Sequence, residues 1–470
     1  MYNTNWRPNR MTKNISLIGF ISGILIAVLV GTLPLTGIPP EGQKCLAISL
    51  MAVVWWATKV VHPGYTSMTL LVGYVLLGVA PANVVFRLWT TPIIYMIIGA
   101  YLIAAAVHES GLGKRIAYLY IIKYVNSYRS IIIGMYVLGF LLSFLIPHPW
   151  PRSFLIMSVV AIIVKSAKIP VKDAVNIGLA VFAGSVPTSM ILLTGDATVN
   201  PVAIEMSGQT VSWLGWLWYM GVPGVVATLL TLALQLVMYK PTAEVNINKE
   251  EIRGLLKDLG PVSGMELRCM IWIGLAILLW ATDGIHKIHC GWVAIVMAMG
   301  LALPKVGGVL KPSSWKDVPI ETAFFLTAAL AIGTVGGHTG MNKWIADVLL
   351  PTNAPANPFM FGLFVTAIAV VIHMCLGSVM AVMGIAIPTL IQFGNSAGMN
   401  PLVPSLLVYG AIFIHYVLPF HHMNILVGLG EKQGGYSDKD VIRFGIPLTA
   451  IVFIMPMAIT IPWWKIIGLL

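Results

Sequence analysis

A chain of 470 residues that is 58% hydrophobic and only 10% charged is not a soluble globular protein, because soluble domains carry about 25% charged residues. A mean hydropathy of +0.88 points to a polytopic membrane protein. The net charge of +11 does not imply a nucleic-acid partner, since the basic residues sit in short loops between apolar runs, where membrane orientation puts them.

In chain order, the first apolar run follows "NWRPNRMTKN" and is too long for the apolar part of a cleavable leader. Residues 1–40 therefore read as an N-terminal segment and first span. Later runs of about 17–25 residues, without strict alternation, predict helices and not barrel strands. The fold class is all-α, with about 11 transmembrane helices. Cys45, Cys269, Cys290 and Cys375 show no metal-type spacing and receive no role.

Basic residues alternate between loops. Arg7 to Lys13, Lys59, Lys114 to Arg129, Lys165 to Lys172, the stretch 240–268, Lys305 to Lys316 and Lys432 to Arg443 hold 22 of the 28, whereas Lys44, Arg87, Lys287, Lys343 and Lys465 stand on the other side. This predicts an integral plasma (inner) membrane protein with its N-terminus in the cytoplasm and its C-terminus outside.

Arg129 and Lys165 to Lys172 then share a side, yet mostly apolar chain separates them. The segment 129–166 must enter the membrane and return, with "PHPWPR" as the tip of a re-entrant hairpin. Broken backbone at membrane depth is tolerated only inside protein or beside water, and an arginine there is a functional candidate by default.

An internal repeat supports the hairpin. "ESGLGKRIA" (109–117) and "HTGMNKWIA" (338–346) share Gly, Lys, Ile and Ala, at the offset of 229 that separates Glu109 from His338. The same offset carries His148 onto Gly377, in a second segment (357–395) interrupted by Gly377, Gly384 and Pro388. Residues 41–239 and 269–470 thus read as inverted repeats, joined by a cytoplasmic linker (240–268) with a short amphipathic helix. Such repeats with matched interruptions point to a secondary transporter with a midplane site. Each hairpin precedes another broken helix: Thr194, Gly195, Asp196, Thr198, Asn200 and Pro201 in one half, and Pro419, His421, His422 and Asn424 in the other. Half-helix N-termini there suit an anion.

At "GLGKRIA", "GMNKWIA", "TGDATVN", "LPFHHMN", the His373, Ser378 and Pro388 spacing, and the terminal "IPWWKIIG", the chain resembles the divalent anion/sodium symporters over nearly its whole length. The resemblance implies carriage of dicarboxylates, citrate or sulfate by a homodimer. It also implies a transport domain that moves like an elevator against a scaffold, with substrate and sodium between the hairpin tips and unwound loops. The family's Ser-Asn-Thr tips are eroded here, to His148-Pro149-Trp150 and Ser378-Val379-Met380. The chain is a divergent member in this respect, and the erosion argues against resident sodium. Sodium-site remnants would be Ser143, Gly195 and Ser378. Arg152 falls where exchanger-type members can carry an arginine, and guanidinium binds carboxylate or sulfate bidentately.

The expected function is secondary transport of small anions, di- or tricarboxylates first, by sodium-independent exchange or proton coupling. The alternative is a sodium-coupled dicarboxylate or sulfate symporter. His148, Arg152, Ser153, Thr198, Asn200, Ser378, His421, His422 and Asn424 are the predicted substrate ligands. Asp196 takes a coupling proton, pairs with Arg152 or caps the following helix, with the first two preferred. Glu205 and His373 read as structural groups. An intramembrane metalloenzyme built from His148, Asp196, His421 and His422 is the alternative of another class, but no HExxH-type spacing exists. No catalytic residue, no firm metal ligand, no cofactor and no nucleic-acid partner are expected; the lipid bilayer and the anion are.

Overall fold

The computed structural model describes residues 10–242, 249–419, 421–428 and 435–470. Arg7, Lys432 and part of the linker lie outside them. The described chain is helical throughout its regular elements. Helix α1 (Arg10–Thr32) packs on α2 (Pro40–Ala57), and α2 on α3 (Pro63–Leu76). Then come α4 (Pro92–Ser110), α5 (Leu112–Tyr124), α6 (Tyr128–Ser143), α7 (Pro149–Ser166) and α8 (Val171–Ser189). A single 3-10 turn, Leu193–Asp196, leads to α9 (Asn200–Ser207) and the long α10 (Trp213–Met238).

After the linker helix Glu250–Asp258 the chain forms α11 (Gly264–Ala281), α12 (Cys290–Ala302), α13 (Ile320–His338), α14 (Met341–Leu349), α15 (Pro358–Leu376), α16 (Val379–Asn395), α17 (Leu402–Phe413), a 3-10 turn at Met423–Val427, and α18 (Asp438–Ile454). The order long helix, short helix, helix pair, broken helix, long helix over 92–238 therefore recurs from 320 onward. Local sequence explains the boundaries. Proline occupies the first turn of α2, α3, α4, α7 and α15, where its missing N–H costs nothing. Ser127 with Ser130 caps α6, and Ser263 with Glu266 caps α11, each reciprocally.

Seven described helices are long and apolar enough to cross a bilayer, and α6, α12, α16 and α17 are shorter apolar ones. Large apolar side chains face outward along them, Leu25, Leu229, Val237, Leu278 and Val371 among others. Water would not tolerate so continuous a coat, and lipid requires it. The chain is an all-α polytopic membrane protein. Inside, one core runs from α4 to the C-terminus, and a smaller one unites α2, α3, α13 and α14.

Loops grouped by charge also meet in space. Arg115 of α5 forms a half-buried ion pair with Glu266 at 2.6 Å, and Lys311 pairs with Glu109 at 2.7 Å. On the other set, Arg87 reaches Glu205 at 3.3 Å, and the Trp213 amide donates to Asp283 at 2.7 Å. The α6–α7 pair has both feet on the linker region: Lys249 donates to Asn126 at 2.5 Å, just before α6, and the Thr242 hydroxyl donates to Asp173 at 2.8 Å, just after α7. The pair thus leaves one face and comes back to it, which a re-entrant hairpin and a pair of full spans would both do.

Candidate functional site

The first tip is the turn between α6 and α7. Its backbone is tied to the first unwound segment by the Ala197 amide, which donates to the Pro147 carbonyl at 3.0 Å. His148 caps α7: Nδ1 accepts the Trp150 N–H at 3.1 Å, which leaves the ring proton on Nε2 to donate to the Tyr101 hydroxyl of α4 at 3.1 Å. One turn into α7, Arg152 is wholly buried. Its guanidinium donates to the carbonyls of Ile146 (3.1 Å), Gly195 (3.3 Å) and Ser185 (3.4 Å), and to the Ser189 hydroxyl. Four oxygens from the tip, from α8 and from the unwound segment thus converge on one cation. Arg152 Nε–H and the neighbouring buried Ser153 hydroxyl have no acceptor among the described residues.

Asp196 closes the turn before the helix without capping the helix itself: its Oδ1 accepts from the Thr198 amide (3.0 Å), the Thr198 hydroxyl (2.5 Å) and the Val199 amide (3.3 Å), whereas the helix begins at Asn200 and not at Thr198. No ion pair joins it to Arg152 among the described residues, although it stands within electrostatic reach of Arg152, His148 and His422. The pairing reading is thereby corrected. Three amide and hydroxyl protons already converge on one carboxylate oxygen, and that outcompetes a guanidinium engaged elsewhere.

Asn200 is a staple. Its amide donates to the Ser189 and Leu192 carbonyls at 2.9 and 3.0 Å, and its oxygen accepts from the Tyr409 hydroxyl of α17 at 2.6 Å. The first broken helix is thus locked to the second half.

In the second half the tip is Gly377-Ser378. Gly377 adopts φ +60°, and the Ser378 hydroxyl caps α16 from the Ala381 amide at 3.4 Å. His422 is sandwiched by Phe413 and Phe182, with Nε2 3.1 Å from the Phe413 carbonyl. Asn424 is buried in the 3-10 turn, and that turn packs on α7 and α8 of the first half. His421 belongs to a different group: with His373 and His415 it forms a buried cluster whose ring nitrogens lie within 4.8 Å of one another. The quartet His148, Asp196, His421 and His422 is therefore not assembled as one ligand set: each ring has its own neighbours.

The sodium remnants are otherwise engaged. The Ser143 hydroxyl donates to its own helix at Phe140 (2.6 Å), and the Gly195 carbonyl faces the guanidinium of Arg152. The Gly195 carbonyl is thus already occupied by a cation, whereas the Ser143 hydroxyl is not in contact with it. Sequence reasoning missed His415, and it did not foresee a cavity of about 480 Å³ between α13, α16 and the end of α9, lined in part by Arg87, Glu205, Thr334, Asn342 and Gln392. None of the predicted ligands lines it.

Comparison with known proteins agrees with this architecture. Residues 14–470 match the sodium:sulfate symporter transmembrane region. A membrane protein of Cupriavidus necator is 22% identical, with 92% of this chain and 89% of that protein covered. The inner membrane protein YbhI of Escherichia coli is 25% identical over 79% of this chain and 80% of its own length. Dicarboxylate transporter 1, chloroplastic, of Spinacia oleracea is 23% identical over 96% of this chain and 81% of that one. The chain belongs to the sodium:sulfate symporter family, and it is a membrane transporter and not an enzyme.

Proposed function

We propose that this transporter carries small dianions, di- or tricarboxylates first, by sodium-independent exchange or proton-coupled transport. Arg152 and Ser153 at the first tip, with the helix termini of the two unwound segments, form the anion site. The observation that carries the reading is Arg152: a fully buried cation, without an ion pair among the described residues, whose Nε–H and neighbouring Ser153 hydroxyl lack acceptors. A buried charge left uncompensated costs several kcal/mol, and spare donors beside it match a carboxylate. The remaining guanidinium nitrogens fill a ring of oxygens suited to a small cation, so the positive charge is built in and sodium is not required. The name of the Spinacia oleracea relative supports the carboxylate class.

The two helix pairs α6–α7 and α15–α16, the broken helices and α10 with α18 form the moving body. Helices α1 to α4 and α11 to α14 form a frame, and two frames form a homodimer. The cavity between α13 and α16 is the boundary across which the body slides as an elevator. The N-terminus and the linker are cytoplasmic, and the C-terminus is outside.

Uptake of labelled succinate, citrate and sulfate into proteoliposomes tests this, with and without a sodium gradient and with anion preloaded inside. Uptake should ignore sodium and be driven by internal anion or by a proton gradient. Arg152→Ala removes charge-assisted hydrogen bonds worth about 1.5–3 kcal/mol each and should lower exchange about tenfold or more. Arg152→Lys should not rescue it, because a point charge cannot satisfy the same fork of acceptors. Uptake driven by sodium would overturn the exchange reading in favour of symport.

A further inference from the structure

The histidine cluster is not used by the site above. His373 stands in the last turn of α15, His415 just beyond α17, and His421 in the second unwound segment. All three are essentially without exposure. His373 and His421 stack with ring centroids 4.4 Å apart, and His415 lies 5.3 Å from each.

Their contacts fix the protons. His421 Nδ1 accepts from the amides of Val417 (3.1 Å) and Leu418 (3.4 Å), so its ring proton is on Nε2. His373 Nε2 faces the His421 carbonyl at 3.3 Å and must carry a proton to donate there. His373 Nδ1 is then a lone pair, and it accepts the Nδ1–H of His415 at 3.1 Å. One lone pair remains, on His415 Nε2, buried and without a donor among the described residues. Three neutral rings thus form a self-consistent network with a single basic atom to spare. A metal ion would need a lone pair from each ring, yet His421 offers none while Nδ1 holds two amides. The spacing alone is misleading there.

We propose that His415, within this cluster, is a proton-binding site that couples proton movement to anion movement. The inference rests on the anion-transport reading above and deepens it by moving the coupling proton from Asp196 to the second half. The titratable groups that act on the three rings, among the described residues, are the rings themselves and His422; Asp196 faces His422. Among the described residues no carboxylate acts directly on the three rings to neutralise the added charge. In a membrane interior of low dielectric the protonated ring attracts an anion strongly, and by linkage the anion favours the proton to the same degree. His373 joins the first arm of the second hairpin to the unwound segment, so the charge arises where the hairpin meets the loop that must part from it.

The test uses the full-length protein with isotopically labelled histidine in nanodiscs, titrated from about pH 8 to about pH 5. With succinate present one buried ring should pass from the singly to the doubly protonated state in this range, its signal should be missing in His415→Gln, and without succinate the transition should fall at lower pH. In proteoliposomes with a trapped pH dye, succinate entry should acidify the lumen in the native protein. His415→Gln should exchange succinate without acidification. Should that variant misfold, His373→Asn, which removes the ring sharing the His415 proton, serves instead. If anions move but no ring titrates, the proton site falls and the transport reading stands. If the ring titrates and none of the anions moves, the proton site stands and the transport reading falls. Stoichiometric zinc on the purified protein, with ring signals that respond to zinc and not to acid, would overturn the proton site in favour of a metal site.

Discussion

Single residues at this site work as staples as much as ligands, and Asn200 is the clearest case. It satisfies two carbonyls of a broken helix while its own oxygen takes the Tyr409 hydroxyl. Tyr409→Phe leaves that buried oxygen without a donor, a loss of about 1–3 kcal/mol. A lower thermal midpoint in detergent, with the second broken helix still packed, is the expected outcome, and an unchanged midpoint would mean that the bond contributes nothing net. The sequence made Asn200 and Arg152 visible, because polar groups in apolar runs are costly. It did not reveal that Arg152 reaches the carbonyls of Ile146, Ser185 and Gly195, since backbone oxygens have no sequence signature and their convergence depends on how α7 meets α8. His415 was legible by the same rule of a polar group in an apolar run, but three histidines in close succession drew attention to the later pair, His421 and His422.

At the level of elements, prolines and glycines made the breaks legible. Pro147 and Pro149 flank the first tip, and Gly377 marks the second. Pairing of a hairpin with the other half's broken helix was not legible as contacts, because it is set by long-range packing: the turn Met423–Val427 lies on α7, and α9 lies on α16 and α17. Gly377 holds φ +60°, a left-handed conformation in which a side chain costs about 1–2 kcal/mol. Gly377→Ala is expected to lower stability by about that amount and to disorder the second tip, and hydrogen exchange over 373–381 would register the change. A more local obstacle exists at Gly195, where a Cβ would collide with the Ser189 carbonyl. Gly195→Ala should therefore abolish exchange while leaving α8 intact, which separates the unwound segment's role from that of the helix before it.

For the whole molecule, charge counting and packing agree on which loops share a face, since Arg115 meets Glu266 and Lys311 meets Glu109 on one, and Arg87 meets Glu205 on the other. The face richer in basic residues is the one proposed above as cytoplasmic. A fusion of alkaline phosphatase after Leu470 should be active, and a fluorescent-protein fusion there dark; the reverse pair of results would invert the whole arrangement. The apolar coat and the helix order were legible from composition and from the 229-residue offset, whereas the division into two cores was not. The first hairpin stands with a foot on each side of the linker, gripped at Asn126 by Lys249 and at Asp173 by Thr242. A hairpin held this way cannot travel by itself: either the grips release on every stroke, or the linker rides along and its slack sets how far the hairpin goes. In the elevator movement proposed above, the connector between the halves is then the tether that limits the stroke.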